Sequence, residues 1–137
     1  MIYAVIDTNV LVAAAKSHKP ESSASRVLSL VLSGTIQPLV CEEILEEYEG
    51  ILKLPVLAIP EDVSAAILNK FRSDGINPGR TESNETHPDP TDRIFYEICL
   101  SVDDAYMVTN NKKHFPGTPQ VVTPSEMLML LTSIGII

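Results

Sequence analysis

Tyr3-Ala4-Val5-Ile6-Asp7-Thr8-Asn9-Val10-Leu11-Val12 sets three polar residues inside a strongly apolar opening. Residues 2–6 are short, rich in β-branched side chains and without alternation. That is the pattern of a strand buried on both faces, which occurs in parallel sheets covered by helices. The polar triplet marks the end of this strand. In open α/β sheets, ligands bind beyond the carboxyl ends of the strands. Asp7, the first residue after the strand, is therefore delivered to the edge where chemistry is expected.

The rest of the chain repeats the alternation. Val27, Leu28, Val31 and Leu32 recur at helical spacing from about Ser22 to Leu32, and a Ser-Gly stop follows. "TIQPLVC" reads as a second buried strand, with Pro38 tolerable near its beginning. "EEILEEYEGILKL" is a helix whose apolar stripe is Ile44, Leu45, Tyr48, Ile51 and Leu52. A further helix starts at Pro60-Glu61-Asp62 and runs through about Phe71 and Arg72. "NPGRTESNETHPDPT" is polar and rich in turn formers, so it is a long loop, and loops of this length inside compact domains are usually functional or mobile. "TDRIFYEICLSV" is a helix with Ile94, Phe95, Ile98, Cys99 and Val102 inward. "AYMVT" and "PQVVT" are strands, and "PSEMLMLLTSIG" closes the chain as a helix with Pro124 in its first turn. Strands alternating with helices predict a parallel sheet covered on both faces, an α/β layer sandwich forming one domain over 1–137.

Composition agrees. The chain has 137 residues, 45% apolar and 20% charged, which suits one folded domain with an ordinary core. No apolar run reaches the roughly 18 residues needed to span a membrane. The N-terminus lacks the basic and apolar regions of a signal peptide, so cytoplasmic residence is expected. Cys41 and Cys99 lie in apolar surroundings without metal-ligand spacing and read as buried reduced thiols. The formal net charge of −8 argues against a module that grips nucleic acid through a broad basic surface. It does not exclude a metal-dependent nuclease, whose site needs carboxylates to hold a cation that then attracts phosphate.

Three acids stand out at the expected edge. Asp7 suits a helix cap as well as a ligand role, and Thr8 and Asn9 can orient it by hydrogen bonds. In the Glu-rich helix, Glu43 and Glu46 point away from the apolar stripe. Glu47 lies three residues after Ile44 and four before Ile51, at the stripe's margin, where it can reach a semi-buried cleft; Glu49 on the other flank is the competing choice. Asp92 sits at the edge of its helix's apolar face, with Asp89 three residues earlier as the natural cap. Asn110 and Asn111 follow the "AYMVT" strand. Other chemistries lack their signatures: there is no G-x-G-x-x-G after the first strand, no G-x-x-x-x-G-K-[ST] and no G-x-S-x-G. His18, His87 and His114 lie in separate polar loops and read as surface residues.

"VIDTNVLV", "EEILEEYEGIL", "DPTDRIFYEICL" and "AYMVTNNKKHFP" occur in an order and spacing that resembles the PIN-domain family, with its bacterial toxin-like subgroup as the nearer likeness. The resemblance implies a three-layer sandwich with a central parallel sheet of about five strands. It implies a divalent-metal-dependent ribonuclease that leaves a 5′-phosphate and is often paired with a small antitoxin protein. The family's acids match Asp7, Glu47 and Asp92, the residues expected to hold Mg²⁺ or Mn²⁺. Its fourth acidic position falls on Asn111, which offers a carbonyl oxygen but no charge, while Thr109 matches the family's threonine. Under this reading Asp7, Glu47, Asp92 and Asn111 are the catalytic set, supported by Thr8, Asn9 and Thr109. RNA would be gripped by Lys112, Lys113 and Arg93, with His114 and Arg80 nearby. The C-terminal "SIGII" is an apolar tail that either covers the core edge or forms a homodimer contact.

Overall fold

The computed structural model describes residues 1–87 and 89–137; Pro88, within the predicted long loop, lies outside the described residues. Four parallel strands, β1 (Ile2–Ile6), β2 (Ile36–Pro38), β3 (Tyr106–Val108) and β4 (Val121–Val122), form one sheet in the order β2-β1-β3-β4. The helices are α1 (Thr8–Lys16), α2 (Ser23–Leu32), α3 (Glu42–Leu52), α4 (Glu61–Asp74), α5 (Pro90–Leu100) and α6 (Pro124–Ser133). α1, α2 and α6 pack together on one face of the sheet, and α3, α4 and α5 on the other. This is the expected three-layer α/β sandwich. Among the described residues, no helix is long and apolar enough to cross a membrane.

The central strand explains the opening sequence. β1 pairs with β2 through Ile2–Ile36 and Ala4–Pro38, and with β3 through Ala4–Tyr106 and Ile6–Val108. With helices on both faces, Ala4, Val5 and Ile6 are all buried, which is why the run carries no polar alternation. The chain passes from β1 to β2 on one side, then returns through β3 on the other. The strand order therefore reverses between β1 and β3, the position at which open α/β sheets form a crevice.

The fifth strand is reduced to a single parallel bridge, Leu39 to Ile76, outside β2. Val40 N–H donates to the Ile76 carbonyl at 2.9 Å, and Ile76 N–H to the Pro38 carbonyl at 3.1 Å. Pro78 and Gly79 follow at once and end the pairing, because proline brings no N–H to the ladder. Pro38 closes β2 rather than beginning it. Both cysteines are free and buried, and burial pushes the Cys99 thiol up to about 12.

Gly75 ends α4 where the chain crosses β2. A Cβ there would meet the Phe71 carbonyl oxygen at 2.3 Å and Val40 Cγ2 at 2.6 Å. Gly75→Ala is expected to lower stability by about 1–3 kcal/mol through this overpacking, read as a lower midpoint in urea unfolding with an unchanged slope.

Candidate active site

Asp7 N–H donates to the Val108 carbonyl at 2.9 Å, so the end of β1 is stitched to the end of β3. Asp7 occupies the N-cap position of α1, yet its side chain makes no capping hydrogen bond. The carboxylate turns to the crevice instead. Its Oδ2 accepts from the Thr109 hydroxyl at 2.7 Å and from Asn9 Nδ2 at 3.3 Å. Thr109 is fully buried and in turn accepts from the Asn111 N–H at 3.0 Å, while Asn9 Oδ1 accepts from the Asn110 N–H at 3.2 Å. The two strand ends at the crevice are thus cross-linked through the polar residues that interrupt the sequence.

Glu47 reaches the same place from α3. The Thr8 hydroxyl donates to Glu47 Oε2 at 2.5 Å. Glu49 is engaged elsewhere, by Lys53 at 3.0 Å and Arg72 at 3.3 Å. The helix rotation that carries Glu47 inward is fixed by its neighbour Tyr48, whose buried hydroxyl donates to the Ile6 carbonyl. From α5, Asp89 caps the helix by accepting the Thr91 N–H at 2.7 Å, which places Asp92 in the first turn.

Asp7, Thr8, Asn9, Glu47, Asp89, Thr91 and Asp92 line one open cleft of about 390 Å³, together with the apolar Val12, Ile51, Leu54 and Leu57. A larger hollow of about 470 Å³ lies at the amino end of β3, against Asp103, Asp104 and Tyr106. Its place at the wrong end of a parallel sheet argues against it as the active cleft. Asn111 does not line the acidic cleft; it reaches it through its backbone, by way of Thr109 and Asp7.

Among the described residues, no lysine or arginine pairs with the acids of this cleft. Burial pushes the Asp7 carboxyl above the usual aspartate range; the Thr109 hydrogen bond opposes this, and the Asp92 charge adds to it. Burial also raises Glu47, against the Thr8 hydrogen bond and with the charges of Asp7 and Asp89. Asp92 is raised by burial and by Asp89. Among the described residues, the basic group that faces these acids is His114, with Nδ1 3.8 Å from Asp92 Oδ2. Clustered carboxylates that repel one another in a half-buried cleft are the donor set of a hard divalent cation. Among the described residues, no three acidic, histidine or cysteine groups stand close enough to enclose a metal directly. A cation held by these residues would therefore have to keep several of its waters.

The basic residues near the carboxyl edge of the sheet have acidic or backbone neighbours in the fold. Lys112 is paired with Glu126 at 3.0 Å. Arg93 donates to the Ser83 carbonyl at 2.8 Å and to the Glu85 carbonyl at 3.2 Å, and lies 3.6 Å from Glu97. Arg80 is bound to Glu97. Lys113 is exposed in the turn after β3 and lines a separate hollow with Lys112, Phe115 and Pro116. His114 keeps an exposed side chain while facing Asp92, whereas His87 is half-buried with its ring against Tyr96 at 5.3 Å. The sequence carried one signal for His114, its position in the turn directly after the β3 strand end.

A family model described as PIN domain matches residues 3–113, which is most of the chain and includes every acid of the cleft. No curated protein and no solved structure matches the chain.

Proposed function

Since the chain belongs to the PIN-domain family, whose function is of the nuclease type in general, we propose that it is a divalent-metal-dependent ribonuclease of the toxin-like subgroup. The observation that carries this reading is the convergence of Asp7, Glu47 and Asp92 on one cleft without a balancing lysine or arginine among the described residues. Asp7 and Asp92 would hold Mg²⁺ or Mn²⁺. When bound, such a cation lowers the pKa of a coordinated water and offsets charge that builds on a phosphodiester.

The chain's own residues do the rest. Thr109 and Asn9 fix the Asp7 carboxylate, so it needs no reorganisation on binding. Thr8 holds one oxygen of Glu47, leaving the other to accept a proton from, or orient, an attacking water. The raised Glu47 suits it to that task, because a base works best when its pKa approaches the working pH. Val12, Ile51, Leu54 and Leu57 give the cleft an apolar side. Asn111 keeps the Thr109–Asp7 chain in place and contributes no charge. A small antitoxin protein covering this cleft, and a homodimer formed through the C-terminal tail, belong to the same proposal.

The test is cleavage of single-stranded and structured RNA in Mn²⁺, Mg²⁺ or chelator. Cleavage that requires the cation and leaves 5′-phosphate ends is the expected result. Lys113 is the basic residue proposed to touch the RNA backbone. Lys113→Glu is expected to weaken cleavage at low RNA concentration and reduce the log–log salt slope by about 1.

A second reading is a PIN-fold binding module without catalysis. The neutral Asn111 and the absence, among the described residues, of three acids close enough to enclose a metal favour it. Wild-type protein inert on every RNA and silent toward Mn²⁺ in calorimetry would establish it.

A further inference from the structure

Residues 80–87, between α4 and α5, run along α5, and one buried carboxylate fastens them. Glu97 is 3% exposed in the middle of an otherwise apolar helix segment. Its Oε1 accepts from Arg80 Nε at 3.0 Å and Nη2 at 2.5 Å, and its Oε2 from the Ser83 N–H at 2.8 Å. Its backbone carbonyl accepts from the Thr81 N–H at 3.2 Å. Arg93, one turn earlier on α5, grips the same segment through the Ser83 and Glu85 carbonyls. The Ser83 hydroxyl contacts His87 Nε2 at 3.1 Å, and the His87 ring rests on Tyr96. Two residues beyond His87 the chain reaches Asp89, which caps α5 and lines the acidic cleft. Residues 80–87, a polar stretch that would otherwise cost entropy to order, are therefore a strap fastened to α5 close in sequence to the candidate site.

We propose that Glu97 is a positioning residue for that site: by pinning the strap through Arg80 and Ser83, with Arg93 beside it, it fixes the start of α5 and hence the places of Asp89 and Asp92 in the cleft. The role follows from geometry. Glu97 is five residues past Asp92 on the same helix, so its side chain does not share the face that bears Asp92. Its influence runs through the strap. Burial alone would raise the Glu97 carboxyl; the Ser83 N–H and the Arg80 and Arg93 guanidiniums outweigh it and lower it, so the clamp is charged at neutral pH. Both Arg80 donors meet one oxygen, Oε1, and such charge-assisted hydrogen bonds are stronger than neutral ones. The inference rests on the reading of the cleft as a metal centre, and its test separates the two.

The experiment compares wild type, Glu97→Gln and Arg80→Ala by residue-resolved amide hydrogen exchange and by Mn²⁺ titration of the metal-free protein. Arg80→Ala removes only the strap's half of the clamp from a half-exposed site, so it reports even where Glu97→Gln folds poorly. Both variants are expected to speed exchange at Ser83 and at Thr91, whose N–H bonds to Asp89, by about tenfold or more while β1 and β3 keep their protection. Mn²⁺ affinity is expected to fall by about tenfold, the effect usual for groups that orient metal ligands. Faster exchange at Ser83 with Thr91 and Mn²⁺ affinity unchanged would overturn the proposal, leaving a strap uncoupled from the site. Uniformly faster exchange through β1 and β3 would overturn it too, reducing Glu97 to a general stabiliser. If wild type binds no Mn²⁺, the metal-centre reading fails, and exchange at Thr91 alone decides whether Glu97 positions the start of α5.

Discussion

Asp7→Asn is expected to abolish cation-dependent RNA cleavage and, in the same protein, to stabilise the metal-free fold. The loss follows from removing a charged ligand: a cation's stabilisation of phosphoryl charge is worth several kcal/mol, which corresponds to on the order of 10³-fold in rate. The gain follows from the cleft's electrostatics. Asp7 is pushed above its usual range first by burial, against the Thr109 bond, and further by Asp92. The folded state therefore binds this proton more tightly than the unfolded state. A group raised in this way contributes full stability below its unfolded value of 3.8, and that contribution is lost as pH rises through the folded value. Glu47 and Asp92 act with the same sign. At neutral pH all three carboxylates work against the metal-free fold.

Asparagine keeps an oxygen for Thr109 and carries no charge, so the variant's melting temperature in chelator rises, by about 4 °C per kcal/mol recovered. Glu97 opposes this trend: its carboxyl is lowered, so its contribution is present above the usual glutamate value and lost on acidification. The informative quantity is thus the difference between wild type and Asp7→Asn in chelator. It is expected to be largest at neutral pH and to vanish as pH falls toward 3.8. An activity loss accompanied by a lower melting temperature at neutral pH would point to a structural role for Asp7 instead.

Tyr48→Ala is expected to produce the largest loss of stability. The ring is fully buried, edge-on to Phe71 at 5.2 Å and to Phe95 at 6.1 Å, so it joins α3, α4 and α5. Its hydroxyl donates to the Ile6 carbonyl, tying α3 to the end of β1 immediately before Asp7. Truncating a large aromatic in a packed core costs about 3–5 kcal/mol, a large share of the 5–15 kcal/mol that holds a typical domain. Tyr48→Phe keeps the ring and strands the carbonyl, at about 1–3 kcal/mol. Urea unfolding of both separates packing from hydrogen bonding. Because Glu47 is the preceding residue, Tyr48→Phe is also expected to reduce RNA cleavage under conditions where the protein remains fully folded.

What the sequence revealed and what it hid have separate physical causes. β1 was legible because a strand buried on both faces leaves an unbroken apolar run, and Asp7 because a polar residue ending that run has few places to go. The choice of Glu47 over Glu49 needed the structure, although Glu49 and Lys53 stand at the i, i+4 spacing of a solvent-facing pair. The fifth strand faded to one bridge because Pro78 follows Ile76 so closely. The strap was hidden because its order comes from one long-range clamp that no local pattern encodes. One local trace existed: Glu97 sits among Phe95, Tyr96, Ile98 and Cys99, and a charge inside such a run requires a partner. The charges of Arg93 and Lys112 were legible in the sequence but their neighbours, Glu97 and Glu126, were not.

The most direct measurement is a calorimetric titration of Mn²⁺ into metal-free wild type and Asp7→Asn at neutral pH, with melting temperatures taken before and after. The metal-centre account predicts saturable binding and a higher melting temperature for wild type, and neither for Asp7→Asn beyond its raised metal-free value. Equal Mn²⁺ binding by the two proteins, or none by wild type, would contradict it.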